Sequence, residues 1–225
     1  MIRNIIILFL CFPFLFSCSA MQAQNEQSDQ ERKESTARIN VQLGLAYLDM
    51  HRVEEAKQKL LTAINEAPEI PEPWYSMGYF QESTGDIPAA QRNYLKALSI
   101  APNRGDVQNN YGTFLCRQQD YPNAIAHFEM AVRDPNYLSP GDAFENAGLC
   151  AKKIPDSQLA MHYFSAAIKH DPERPISLLE LAKLEYDRGD YSLAKKRLDQ
   201  YLQIASATDD SNKLLTALEK KLNDN

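Results

Sequence analysis

Residues 71–104 read PEPWYSMGYFQESTGDIPAAQRNYLKALSIAPNR, and this stretch decides the fold. Gly78 is followed twelve residues later by Ala90, four further on by Tyr94, then by Ala97 and a closing Pro102. A glycine in one helix and an alanine in the next let two helices of a hairpin approach closely, and a bulky residue fills the remaining gap. Proline beyond the second helix stops it. The same pattern recurs on both sides with a period of 34. Gly44, Gly112, Gly148 and, in a fifth unit, Ala182 take the first place; Ala56, Ala124, Ala160 and Ala194 take the second. Leu60, Phe128, Phe164 and Leu198 are the fillers, followed by Ala63, Ala131, Ala167 and the larger Tyr201, while Pro68, Pro135 and Pro172 close units. One such hairpin cannot bury its own apolar stripe, so consecutive units must stack.

These positions, with Trp74, Met77 and Gly78 forming a Trp-x-x-Met-Gly run, resemble the tetratricopeptide repeat (TPR). The resemblance implies an all-α superhelical solenoid of helix-turn-helix hairpins. Five units are expected, at 37–70, 71–104, 105–138, 141–174 and 175–208, with Ser139 and Pro140 lengthening one loop. Residues 209–225, with Leu214, Leu215, Leu218 and Leu222 on one face, read as a capping helix or a partial sixth repeat.

Ahead of the repeats, residues 1–17 are apolar, with Arg3 near the start, Pro13 inside and no acidic residue. A bilayer span needs about 20 apolar residues, so the run has the length of a cleavable signal peptide instead. Leu15, Phe16, Ser17 and Cys18 resemble a bacterial lipobox, although Phe16 is larger than the usual residue there. That resemblance implies cleavage before Cys18 and acylation of its thiol, with ordinary secretory cleavage after Ala20 or Ala23 as the alternative. Acyl chains would then do the anchoring. Ser19 follows the cysteine in place of the Asp that resembles an inner-membrane retention signal, which favours the outer membrane. Residues 18–36 are polar and read as a tether whose reach, as a random coil, is roughly 25 Å. Loss of residues 1–17 takes the formal charge from −6 to −7, a balance unsuited to nucleic acid or to an anionic lipid surface.

Chemistry-bearing constellations are absent from the sequence. His51, His127, His162 and His170 have no metal-ligand spacing, and there is no Gly-rich phosphate loop or nucleophile elbow. Acidic pairs such as Glu54–Glu55 and Asp209–Asp210 read as solvated charge. No enzyme activity, cofactor, metal or small-molecule substrate is expected.

Cys116 and Cys150 remain once Cys11 leaves with the signal and Cys18 is acylated. They stand 34 residues apart, but the two-residue insertion puts Cys116 four after its repeat glycine and Cys150 two after. Equivalent positions would sit a helix step of about 8–10 Å apart, beyond the roughly 7 Å a disulfide spans; the slip lets the two side chains face each other. A disulfide is favoured, kept by an oxidising compartment, and a pair of buried thiols is the other reading.

By the known geometry of the repeat, the second, fifth, ninth, twelfth and thirteenth positions of each first helix line the concave face. The first two units place Val41, Leu45, Leu48, Tyr75 and Tyr79 there, while later units are polar, with Asp106, Asn109, Thr113, Cys116 and Arg117, then Asp142, Glu145, Leu149, Lys152 and Lys153. The apolar set is a candidate partner-binding groove, unless neighbouring helices cover Val41, Leu45 and Leu48 as core. The lipobox, the polar stretch, the repeats and the phrases NNYGTFLC (109–116) and FENAGLCAKK (144–153) together resemble the type IV pilus biogenesis lipoproteins of the PilF/PilW pilotin family. That resemblance implies an outer-membrane lipoprotein facing the periplasm that binds pilus secretin subunits and promotes their localisation and multimerisation. The alternative is a TPR lipoprotein scaffold for cell-wall enzymes or for outer-membrane protein assembly.

Overall fold

The computed structural model describes residues 12–223, with side chains from residue 24 onward except that of Asn25. Among the described residues there are eleven helices and no strand: α1 (Phe12–Asp49), α2 (Val53–Glu66), α3 (Pro71–Ser83), α4 (Ile87–Ile100), α5 (Gly105–Arg117), α6 (Tyr121–Arg133), α7 (Pro140–Ala151), α8 (Ser157–His170), α9 (Pro175–Arg188), α10 (Tyr191–Ile204) and α11 (Asp209–Asn223). The fold is all-α, a succession of antiparallel hairpins. Prolines open α3, α7 and α9 at their first turn, where the missing N–H costs nothing. Four of the described hairpin turns use a left-handed residue, Gly85 (φ 89°) and Gly189 (φ 92°) and, at the same repeat position, His51 (φ 58°) and Gln119 (φ 66°). Asp86 and Asp156 cap α4 and α8 by accepting from the Ala89 and Leu159 amides, both at 3.1 Å.

The chain divides into two compact units, one up to Asn93 and the other from Tyr94 onward. In the first, α1 packs on α2 and α3 around Ala37, Val41, Leu60, Ala63, Met77 and Phe80. A Cβ on Gly44 would lie 2.8 Å from Leu60 Cγ, so the α1–α2 approach tolerates no side chain. In the second, the same device recurs: a Cβ on Gly112 would meet the Phe128 ring at 2.9 Å, and one on Gly148 the Phe164 ring at 2.7 Å. Leu178, Ala182, Leu198, Leu214 and Leu218 close the carboxyl-terminal core, with α11 laid against α9 and α10. Thr208 and Ser211 cap α11 reciprocally, each amide donating to the other's hydroxyl.

The stretch 18–36 differs from the coil reading. It belongs to α1, which runs unbroken from Phe12 into the first repeat. Its Gln, Glu, Lys and Arg are good helix formers. Pairs one turn apart support it: Gln27 donates to Glu31 (3.0 Å), Gln30 to Glu34 (3.3 Å) and Arg32 to Asp29 (3.0 Å). The packed end at Ala37 and Val41 supplies the nucleus that an isolated segment lacks. The eighteen helical residues 19–36 extend about 27 Å, the same reach as the coil but with a fixed direction. Residues 1–11 of the signal-peptide reading lie outside the described residues, as do the side chains of Leu15, Phe16, Ser17 and Cys18. Among the described residues no helix is long and apolar enough to cross a membrane.

Two outcomes follow from the packing. Gly148→Ala should lower stability by about 1–3 kcal/mol, because the new Cβ must displace the buried Phe164 ring, and a thermal melt would read this directly. His127 should impose a pH slope. Burial pushes its pKa down, with Asp120 opposing, and its Nδ1–H donates to Gln108, whose amide in turn donates to the Pro102 carbonyl. A depressed folded pKa means the neutral ring's contribution is whole above the unfolded value near 6.5 and is lost as pH falls through the folded value. Unfolding free energy measured from pH 7.5 to 5.5 should fall less in His127→Gln than in the parent.

Candidate protein-binding site

The first unit rearranges the expected groove. Val41, 7% exposed, is a core residue packed with Ala37, Leu60 and Phe80, and it is not available to a partner. Leu45 and Leu48 are half-buried against the same core, Tyr75 is half-buried on α3, and Tyr79 is 38% exposed. Arg38 and Glu72, which hold the second position of consecutive repeats, pair across that edge at 3.4 Å. The physical reason is register: Val41 lies four residues after Ala37, on the helix face that α2 and α3 cover.

A different apolar face stands open. The third, seventh and tenth positions of the first helices of repeats two to four are buried: Pro73, Met77 and Phe80, then Val107, Tyr111 and Phe114, then Ala143, Ala147 and Cys150. In the first repeat those positions are Ile39 (54% exposed), Leu43 (40% exposed) and Ala46, also exposed. They form one stripe at i, i+4, i+7 on α1. Composition alone does not single them out, but comparing equivalent positions along the repeats does.

In the second unit the face formed by the first helices is laced by polar contacts between successive repeats. Asn146 donates to Asn109 (3.0 Å), the Ser177 amide and hydroxyl donate to Glu145 (3.1 and 2.6 Å), and Lys183 reaches Asp210 (3.0 Å). Lys152 pairs with Glu180, and Arg174 gathers Asp142, Glu145 and Asp171. Cys116 and Cys150 are joined in a disulfide with Cα atoms 5.8 Å apart, bridging α5 and α7. Sequence reasoning placed Asp142, Glu145 and Lys152 on this face but did not see that they are spent on neighbouring repeats, because their partners lie about thirty residues away.

The histidines are dispersed. His127 serves Gln108, His170 stacks on Phe144 with ring centroids 5.1 Å apart, and His162 lies edge-on to Tyr163. Among the described residues no group of His, Cys, Asp and Glu could hold a metal ion. What the arrangement offers is surface for proteins.

The chain belongs to the tetratricopeptide repeat family, whose model matches residues 75–143 and 156–209. Within it, the chain is homologous to the type IV pilus assembly protein PilF of Pseudomonas aeruginosa, 27% identical over 197 residues that cover 88% of this chain and 78% of the relative. A solved structure of that P. aeruginosa protein superposes with a TM-score of 0.77 at 28% identity, covering 85% and 86% of the two chains. The crystal structure of PilW, described as a widely conserved type IV pilus biogenesis factor, gives a TM-score of 0.71 at 26% identity over 83% and 86%. An uncharacterized protein of Haemophilus influenzae is 34% identical over 140 residues, 62% of this chain and 76% of that one.

The disulfide closes a loop that embraces α6, and by loop-closure entropy it should contribute about 3–4 kcal/mol. The Cys116→Ser/Cys150→Ser double variant is therefore expected to lose roughly that much in denaturant unfolding, and a reducing agent should reproduce the loss in the parent but not in the variant.

Proposed function

We propose that this chain is a type IV pilus biogenesis lipoprotein of the pilotin kind, binding secretin subunits and promoting their localisation and multimerisation in the outer membrane. The observation that carries the reading is similarity to PilF over most of both chains, in sequence over 88% of this chain and in structure at a TM-score of 0.77. In this reading Cys18 is acylated and anchors the protein on the periplasmic side of the outer membrane. The long α1 then holds the repeats away from the lipid. The partners are proteins, and the TPR fold works by binding rather than by chemistry.

The secretin contact is assigned to the open face of the first repeat, Ile39 and Leu43, because the second, third and fourth repeats bury the residues at the equivalent positions. A helix from the partner, presenting its own apolar stripe, would continue the stack by one element. Tyr79, with Leu45, Leu48 and Tyr75 behind it, remains the second candidate contact, and Val41 supports it from within the core.

Deletion of the gene, followed by membrane fractionation and an immunoblot for heat- and detergent-resistant secretin multimers, tests the function. Multimers should vanish, or monomers collect in the inner membrane, and Cys18→Ala should reproduce the defect. Ile39→Glu and Leu43→Glu should do the same with an unchanged melting temperature, since both side chains already face solvent. If Tyr79→Ala abolishes multimers and the two glutamate variants do not, the contact moves to the other face. Normal outer-membrane multimers in the deletion strain would overturn the pilotin reading.

A further inference from the structure

The methionines whose side chains are described fall into two sets. Met77 and Met161 are buried, 3% and 7% exposed, whereas Met130 is 45% and Met50 65% exposed. Met50 follows the last residue of α1 and prolongs its hydrogen bonding, with its amide donating to the Ala46 carbonyl at 3.2 Å. Standing four residues after Ala46 and seven after Leu43, it shares their side of the helix and extends the open stripe that begins at Ile39. At the equivalent position the second, third and fifth repeats carry the polar Thr84, Gln118 and Arg188. Met50 stands outside the apolar core of its unit, which draws Leu45, Tyr47 and Leu48 from the same stretch of α1. The turn beyond it is held by backbone alone: the His51 amide donates to Leu48 (2.9 Å) and the Arg52 amide to Tyr47 (2.8 Å).

A thioether at the surface is open to two-electron oxidants, and one sealed in a core is shielded from them. We propose that Met50 is an oxidation site that controls the open face of the first repeat, its sulfur taking one oxygen from hydrogen peroxide or hypochlorous acid and the sulfoxide weakening the docking of an apolar partner. The inference rests on the first-repeat contact proposed above. A sulfur lone pair attacks one peroxide oxygen; the S–O bond forms as the O–O bond breaks, and the proton of the transferred oxygen leaves with hydroxide as water. Sulfur loses two electrons and the peroxide gains them. With hypochlorous acid the O–Cl bond breaks instead, and chloride and a proton leave. The product carries a strong acceptor beside Ile39, Leu43 and Ala46, whose side chains have no donor to offer it, so an apolar helix laid on the stripe would cover that oxygen unpaired. The core is untouched, and methionine sulfoxide reductases restore the thioether, so the change is reversible.

The test treats the full chain in detergent with hydrogen peroxide, removes the oxidant and follows each methionine by peptide mass spectrometry. Met50 should gain oxygen at least about tenfold faster than Met77 and Met161, with the melting temperature unchanged. The treated protein is then titrated with detergent-solubilised secretin monomers that never met the oxidant. Affinity should fall about tenfold and return after treatment with the reductases. In Met50→Leu the affinities before and after peroxide should be equal, whereas Met130→Leu should show the same fall as the parent. Oxidation of Met50 no faster than that of Met77 overturns the proposal. So does equal secretin binding by treated and untreated protein: where Ile39→Glu still weakens binding, the pilotin reading stands and the oxidation control alone fails. Absence of secretin binding by the untreated chain overturns both.

Discussion

The closeness of the two helices within each hairpin is the constraint on which the rest depends. At Gly44, Gly112 and Gly148 the space that a methyl group would need is already filled by Leu60, Phe128 and Phe164. Because a packed interior neither compresses nor leaves voids, this contact fixes the separation of the helices and thereby which of their faces point outward. The fifth hairpin reaches the same end with Ala182 against Leu198, both fully buried. Everything presented to a partner is positioned by these few contacts.

Stacking of hairpins in the second unit adds a different kind of contact. Glu145 accepts from both donors of Ser177 while Arg174 holds its other oxygen, and Asn109 and Asn146 meet side chain to side chain. Such half-buried polar pairs contribute modestly to stability, since each is bought with desolvation. Their effect is on register: a hairpin shifted by one residue would leave a carboxylate and a guanidinium without partners. Apolar packing sets how close the hairpins lie, and the polar contacts set how they align.

The fold was legible because a 34-residue period of small and bulky residues can satisfy only one architecture, and helices α3, α5 and α9 begin at Pro71, Gly105 and Pro175 where that register puts them. The amino-terminal extension was less legible. Its polar composition gives no apolar periodicity to read, and its helicity depends on continuation into the packed segment after Ala37. Val41 stood open between groove and core for a related reason: the face a residue occupies depends on what covers it, and a pattern averaged over the family cannot report that for the first repeat. The open stripe of Ile39 and Leu43 was in reach, since the residues at those positions in repeats two to four are buried. The pairing of Arg174 with Asp142 and Glu145 was not, because no local signal connects residues 29 and 32 positions apart.

The bridge between α5 and α7 has a mechanical side. A chain pulled from its two ends lengthens only through segments that can be drawn straight, and the residues of the 34-position span from Cys116 to Cys150 are enclosed in a covalent ring. Drawn out, they would add about 110 Å of contour; with the bridge intact, tension passes across 5.8 Å instead. Force applied at either terminus therefore bypasses α6 entirely, and the hairpins on both sides of the ring yield before anything inside it is loaded.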